Sequence, residues 1–459
     1  MSYSYSSAYD AVTNGIENGK HEVEKNARIS AKQSLISSHL QNYSPASNLA
    51  FNQRIKKMMA SGETVYHFGF GQSPFPVIEC AVKALQESAH EKDYLPVQGI
   101  PELRQTICDF HSRFDGTSLK QENVIVGPGS KELIYLLMLV FNGDILVVSP
   151  TWTTYRPQSH LSRHRSFVIN TSLDGQWKIS SSAIEKVFEQ NDCHPNRLLI
   201  LCNPCNPSGT AYSADELREL ADCFRKNNIY VIADEIYGFM NYDGTHESLV
   251  KYYPEGSILS SSLSKWAGAG GWRLGYHIFP DELNELKNAV ISAGTHTFSC
   301  APSPMQYAAL KVMKDIPQCE EYMKHTTRIM AVIADFCYRE LTSVGVKVVK
   351  PRGGFYMLPD FEIIRPNLTR RGISTGKEMC QAILRECSVA LMAGGPAFLR
   401  PSTELTVRLC FVNFDGALAL KASRDIGLDV NLDDQFIQTY CQVTYDGIKA
   451  LVKWVVECN

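Results

Sequence analysis

Between residues 124 and 279 short apolar runs alternate with helical segments, and this alternation limits the possible folds more than any other feature of the chain. The runs are Val124-Ile125-Val126, Ile145 to Ser149, Phe167 to Asn170, Leu198 to Cys202, Tyr230 to Ala233, Ile258 to Ser261 and Gly275 to Phe279. Seven short apolar strands interleaved with helices argue for an α/β fold, a mainly parallel sheet covered on both faces. Ligands of such sheets bind beyond the carboxyl ends of the strands. The strand exits are therefore where chemistry is expected.

The exit of the Ile258 run is the most informative. It reads Ser262-Leu263-Ser264-Lys265-Trp266-Ala267-Gly268-Ala269-Gly270-Gly271-Trp272-Arg273-Leu274-Gly275. A lysine there sits at the rim of a core, not on a solvated helix. Burial lowers a lysine's pKa, and the neutral amine is the form that captures aldehydes. The small residues that follow let backbone and ligand approach closely. Ser262 and Ser264 before Lys265, with Arg273 after it, suit a phosphate. A lone Ser-x-x-Lys reads as an ordinary loop. The full stretch combines an aldehyde trap with a phosphate anchor.

Other exits carry compatible groups. Val65 to Phe68 reads as a strand running into Gly69-Phe70-Gly71-Gln72-Ser73-Pro74, which lacks the third glycine of a dinucleotide fingerprint. Val124-Ile125-Val126 leads into Gly127-Pro128-Gly129-Ser130-Lys131-Glu132 and an apolar helix from Leu133 to Phe141. Strand, glycine turn and helix N-terminus suit an anion, but the residue order is not that of a nucleotide P-loop. Asp234 and Tyr237 follow a buried strand, Asn206 sits in Asn203-Pro204-Cys205-Asn206-Pro207, and Trp152 follows Pro150. Singly, each has a blander explanation as a helix cap, a turn residue or core.

Composition removes several classes of function. Lys plus Arg (45) against Asp plus Glu (48) gives −3, so there is no electrostatic case for nucleic acid or a membrane surface. No apolar run is long enough to span a bilayer, and the N-terminus has no signal or transit pattern. The 14 cysteines are scattered, as expected of free thiols in a reducing, cytoplasmic setting. The pair Cys202 and Cys205 is better explained by its Asn-Pro surroundings than by redox or metal chemistry, and no metal site is expected. Residues 1–45 read as a flexible N-terminal arm. Ala46 to Ser61 has helical spacing, and the chain turns helical again after Met305. Lys350 to Leu358 and Thr406 to Phe411 read as strands of a second, smaller α+β domain, closed by a helix around Tyr440 to Val456. We expect a large domain over 77–335 and a small domain from 46–76 with 336–459.

From about Ser44 to the C-terminus these motifs, in this order, resemble the class I/II aminotransferases of fold-type I, near the aspartate, prephenate and aromatic branches. The lysine stretch matches that family's signature for binding pyridoxal 5'-phosphate. Asp93-Tyr94-Leu95-Pro96-Val97-Gln98-Gly99-Ile100-Pro101-Glu102-Leu103-Arg104 matches its tyrosine followed by Gly-x-x-Glu-Leu-Arg. The resemblance implies transamination between an L-amino acid and a 2-oxo acid by a ping-pong mechanism through Lys265, in a homodimer. It implies that Gly129, Ser130, Lys131, Ser262 and Arg273 surround the cofactor phosphate, with Tyr94 reaching a neighbouring subunit's phosphate. Asp234 would pair with the ring nitrogen, Asn206 and Tyr237 with the ring oxygen, and Trp152 would stack on the ring. Gly71, Trp152, Asn206 and Arg408 would contact the substrate, Arg408 through its α-carboxylate. Lys131 would meet a distal carboxylate, favouring aspartate, glutamate and 2-oxoglutarate. A hydroxyl residue expected near Asn48 in that branch is absent, and Phe68, Phe70, Phe75 and Phe298 offer an apolar pocket for aromatic or methionine-like substrates instead. A lyase or cyclopropane-synthase-like enzyme on the same scaffold is a further alternative. A cofactor-binding regulator would need a basic DNA-recognition segment that the N-terminal residues do not supply.

Overall fold

The computed structural model describes residues 35–40, 47–244 and 246–458. Most of the expected N-terminal arm lies outside them. The chain divides into residues 1–43 and 44–459. In the first unit a 3-10 turn spans Ser38–Leu40.

The second unit begins with a helix, Ser47–Ala60, and a short strand, β1 (Tyr66–His67). The main sheet is built from β2 (Val124–Gly127), β3 (Asp144–Ser149), β4 (Ser166–Asn170), β5 (Arg197–Cys202), β6 (Ile229–Asp234), β7 (Ser257–Ser262) and β8 (Gly275–Ile278). These are the seven runs read from the sequence. Their order across the sheet is β2-β8-β7-β6-β5-β3-β4. β8 runs antiparallel to both neighbours, and the remaining pairs are parallel. Successive side chains alternate between two buried layers, as period-two geometry requires. Ile145, Val147, Leu198 and Ile200 enter one core, while Leu146, Val148, Leu199 and Leu201 enter the other. That double burial is why the strands read as continuous apolar runs.

Register brings the strand exits together. Ser262 pairs with Gly275 across β7 and β8, so residues 263–274 form a loop that closes on itself with Lys265 and Arg273 near its two feet. Gly275 also pairs with Gly127 of β2, which sets the following glycine turn beside that loop. A Cβ at Gly275 would lie 2.3 Å from the Ser130 backbone nitrogen, so this close approach excludes any other residue. Asp234 pairs with Cys202 on one side and Ser260 on the other.

The C-terminal part follows the long helix Ile316–Ser343. β9 (Tyr356–Met357), β10 (Val389–Ala390), β11 (Met392–Ala393) and β12 (Val407–Cys410) form two small sheets, β11-β12-β9 and β1-β10. The strand expected over Lys350 to Leu358 shrinks to β9. Pro351 has no N–H to give a ladder. The Arg352 and Gly354 amides bond instead to the carbonyls of Gly209 and Met240, at 2.8 and 3.1 Å. The expected closing helix is Gln442–Glu457, and a further helix, Asp434–Tyr440, precedes it, the two separated where Cys441 leaves helical geometry at φ −128° and ψ 33°. The helical region also begins earlier than Met305, with Asn284–Thr295.

Candidate active site

A cleft of about 520 Å³ opens at the carboxyl ends of β5, β6 and β7, and β9 and β12 close it from the opposite side. Its wall contains Gly71, Ser130, Lys131, Trp152, Asn206, Asp234, Tyr237, Lys265, Arg273 and Arg408, so ten positions singled out from the sequence meet in one place.

The lysine is partly accessible from the cleft. Its Nζ donates to the Gly71 carbonyl at 3.3 Å and lies 5.7 and 5.4 Å from the ring centres of Tyr237 and Phe355. Burial, and then the nearby Arg408 guanidinium, push its ammonium down to about 8. A substantial fraction of the amine is therefore neutral near physiological pH.

Asp234 ends β6 with 3% of its surface exposed. Burial lifts its carboxyl to about 6, against the opposing pull of a hydrogen bond from Tyr155 and the charge of Lys265. The Tyr155 hydroxyl donates to Oδ2, while Oδ1 is buried with no hydrogen-bond partner. Such an atom calls for a donor from a bound group. Trp152 meets Tyr155 edge to face, with ring centres 5.3 Å apart.

The phosphate end is a glycine turn capping a helix. Gly129 adopts φ 94° as the N-cap of Ser130–Val140, in the left-handed region that favours glycine. A Cβ there would lie 2.1 Å from Arg273 Nη2, so the guanidinium fills the space a side chain would occupy. Arg273 itself takes the left-handed φ of 55° and donates to the Gly270 carbonyl at 2.9 Å. Free N–H groups at the helix start, Ser130, Ser264 and Arg273 together make an anion site. Ser262 stands behind this wall, fully buried, and its hydroxyl accepts the Ser264 N–H at 3.0 Å. Lys131 places its ammonium 5.0 Å from the Trp152 ring centre, and burial together with Arg273 lowers its pKa.

At the opposite end Arg408 is 1% exposed. It donates to the Gly69 carbonyl at 2.8 Å and to Asn206 Oδ1 at 3.4 Å, and lies 5.1 and 5.2 Å from the Tyr356 and Phe398 ring centres. Its Nε is buried without a partner. Gly71 is pressed against Tyr356, whose Oη would lie 1.9 Å from an added Cβ. Four cations, Lys131, Lys265, Arg273 and Arg408, thus face one carboxylate, Asp234, among the lining residues.

Tyr94 is not part of this wall. It is 91% exposed, far outside the burial expected of a tyrosine serving its own subunit's cleft. Of the four phenylalanines considered for an apolar pocket, only Phe70 lines the cleft. Phe68 and Phe75 are buried in the core, and Phe298 packs against it. Among the lining residues not recognised from sequence are Tyr155 and Tyr356. Tyr155 comes one helical turn after Trp152, and Tyr356 follows Gly353-Gly354-Phe355; both spacings were readable signals.

Comparison with known proteins agrees with this architecture. The sequence model of the family "Aminotransferase class I and II" matches residues 63–417, and the chain belongs to that family. It is therefore an aminotransferase with the fold-type I architecture. It is 28% identical to aspartate aminotransferase of Bacillus sp. (strain YM-2) over 80% of this chain and 93% of that one. It is 29% identical to aspartate aminotransferase of Thermotoga maritima, over 79% and 91%. Among solved structures, aspartate aminotransferase from Thermus thermophilus with maleate superposes with a TM-score of 0.75 at 23% identity, covering 86% of this chain and 98% of that one.

The residues present fit pyridoxal phosphate. An amine held near pKa 8 suits an aldehyde, a buried carboxylate with an unpartnered oxygen suits a protonated ring nitrogen, and a glycine-capped helix start beside an arginine suits a phosphate.

Proposed function

We propose that the protein exchanges an amino group between an L-amino acid and a 2-oxo acid, with pyridoxal 5'-phosphate as cofactor and Lys265 as catalytic residue. We take aspartate, glutamate and 2-oxoglutarate as its substrates. The observation that carries the proposal is a low-pKa lysine, a lone buried carboxylate and a buried arginine facing one cleft.

Pyridoxal phosphate, when bound, supplies an aldehyde that captures amines and a ring that takes up the electron pair left at the substrate's Cα. The protein's residues do the rest. Asp234 would keep a proton on the ring nitrogen. Asn206 and Tyr237 would donate to the ring oxygen. Ser130, Arg273 and the amides after Gly129 would hold the phosphate, with Lys131 beside them and Ser262 bracing the wall from behind through its bond to the Ser264 N–H, and Trp152 would cover the ring face. Arg408 receives the α-carboxylate through a planar fork that a lysine would not reproduce, with Gly71 leaving room for it. Lys265 would carry the Cα proton on Nζ as general base and return it as general acid. The first oxo acid leaves before the second enters, a ping-pong sequence.

Lys131 has no acidic partner among the lining residues, which supports a distal carboxylate as its ligand. Phe70, Leu49 and Ile236 also line the cleft and support the second reading, an aromatic or methionine aminotransferase. We further propose a homodimer in which Tyr94 reaches the partner's cofactor phosphate, a small domain from 46–76 with 336–459 against a large one over 77–335, and a cytoplasmic location. The exposure of Tyr94 and the free state of the fourteen cysteines support these readings. No helix among the described residues is long and apolar enough to cross a membrane.

The test is absorbance of the protein loaded with pyridoxal phosphate, titrated with amino acids, followed by product analysis. Conversion to the amine form by aspartate and glutamate, with release of the matching 2-oxo acids, is the expected result. Conversion only by aromatic or methionine-like donors would reject the acidic substrates. Bound cofactor with no conversion by any donor would reject transamination, and elimination products would favour a lyase.

A further inference from the structure

We infer that Tyr356 is a further positioning residue of the transamination reaction, a single side chain that couples the hydroxyl serving the cofactor's ring oxygen to the guanidinium clamping the substrate. The inference rests on the functional reading above.

The backbone at this position is held from both sides of the cleft. On one side, Gly354 N–H bonds to the Met240 carbonyl at 3.1 Å. A Cβ at Gly353 would lie 2.6 Å from the Pro204 ring, so the glycine is what lets this segment enter against the β5 exit. On the other side, Tyr356 pairs with Cys410 of β12, the strand that carries Arg408. Tyr356 thus has little freedom of its own and moves with Arg408.

The side chain makes three contacts that matter. Its hydroxyl is 3.0 Å from that of Tyr237, with the two rings edge to face at 88°. Its ring faces the Arg408 guanidinium at 5.1 Å, a cation–π distance. Its Oη presses on Gly71, whose carbonyl holds Lys265 Nζ. The titratable and charged groups facing Tyr356 are Tyr237, Arg408, Cys410 and Cys202. Burial raises its own pKa, so the phenol keeps its proton throughout the working range.

A phenol has one proton to give and can also accept. As the structure stands, Tyr237 donates to Tyr356. When Tyr237 turns its proton to the ring oxygen of a bound cofactor, Tyr356 supplies the replacement donor. Neither hydroxyl is then left buried and unpaired in either state, a condition that otherwise costs stability. This exchange lets Tyr237 serve the cofactor without loss, while the ring of the same tyrosine keeps Arg408 aligned for the carboxylate.

The experiment compares Tyr356→Phe and Tyr356→Leu with wild type, each loaded with pyridoxal phosphate. Three readouts are needed: steady-state kinetics with L-aspartate, the pH midpoint of the cofactor's visible absorbance, and the thermal midpoint of each protein. Tyr356→Phe keeps the ring and loses the hydroxyl. We expect kcat to fall about fivefold with KM within about twofold, the effect of one hydrogen bond felt at the reacting centre. The absorbance midpoint should rise by about half a pH unit, because the ring oxygen's acidity loses support from its donor chain. Tyr356→Leu should add a rise in KM of about tenfold, from the loss of the aromatic face behind Arg408. Wild-type kcat and absorbance midpoint in Tyr356→Phe would overturn the inference, as would identical KM values in the two variants. Losses accompanied by an unchanged absorbance midpoint and a collapsed thermal midpoint would mean a merely structural tyrosine, and would also overturn it. A wild-type protein with no amino-acid-dependent change in absorbance would sink the functional reading, and the inference with it.

Discussion

Consider Asp234→Asn in the cofactor-free protein. Burial lifts the Asp234 carboxyl from an ordinary 3.8 to about 6, and with 3% of the side chain exposed, solvent does little to screen the effect. The unfolded chain releases this proton near 3.8 and the folded chain near 6. Between those values the folded state binds one more proton than the unfolded state, so stability falls as pH rises through the window, and the loss is complete above it. A gap of about two pH units at 1.36 kcal/mol each makes a penalty of about 3 kcal/mol. Asparagine is similar in size, carries no charge to desolvate and keeps an oxygen for the Tyr155 hydroxyl. It should therefore stabilise the cofactor-free protein by about 3 kcal/mol at pH 8 and by about half that at pH 5. Urea denaturation of both proteins at the two pH values measures this. A difference that does not change with pH, or an asparagine protein less stable at pH 8, would refute the reasoning. In the loaded enzyme the same change would remove the proposed partner of the ring nitrogen, and kcat/KM should fall about a hundredfold or more, the worth of one buried charge-assisted bond. A stability gain alongside an activity loss is the signature of a residue kept for function.

Other perturbations separate the remaining roles. Lys265→Ala should retain the fold and lose half-transamination with every amino acid, measured as the absorbance change on adding donor. Because the Lys265 ammonium is held near 8, covalent capture of pyridoxal phosphate by the cofactor-free protein should speed up as pH rises toward 8 and level off above it; stopped-flow absorbance across pH 6 to 9 checks this, and a rate still climbing at pH 9 counts against the shifted lysine. Gly129→Ala forces a Cβ to within 2.1 Å of Arg273 Nη2 at a φ of 94°, so cofactor affinity should drop by about tenfold or more in equilibrium dialysis. Lys131→Met should raise KM for aspartate about tenfold or more while leaving apolar donors within about twofold; an equal effect on both classes would mean that Lys131 serves only the cofactor.

The main sheet was legible because all its strands but the edge strand β4 are almost wholly buried on both faces, a pattern that neither a half-wet strand nor a surface helix produces. The positions of Lys265, Asp234 and Arg273 were legible for a related reason: they sit at the ends of those strands, where a polar residue interrupts an apolar run. What lay beyond the sequence were features set by contacts distant along the chain. The segment around Pro351 has strand-like composition, but its amides are taken by Gly209 and Met240, more than a hundred residues earlier. Phe68 and Phe298 look like pocket residues in a one-dimensional reading, and only the packing of β1 and the helix Asn284–Thr295 turns them toward the core. Tyr155 and Tyr356 are tyrosines like many others until the fold brings one hydroxyl to Asp234 and the other to Tyr237.

The charges of the cleft make a sharper argument than any single residue. Asp234 would answer the protonated ring nitrogen of the proposed cofactor, and Lys265 would be committed to its aldehyde. Arg273 and the helix start then face the phosphate dianion, and Arg408 faces the substrate's α-carboxylate. Lys131 is the cation left over, half-buried, with the Trp152 ring at 5.0 Å as its close attractive contact among the described residues. A cation–π contact of this kind is worth about 0.5–2 kcal/mol, enough to park an ammonium and too little to hold it against a carboxylate that arrives desolvated. A substrate with a second carboxylate completes the match; an apolar substrate leaves Lys131 on Trp152 at little cost. On the proposed reading the same side chain would favour acidic donors and tolerate others, because its resting place is built into the wall.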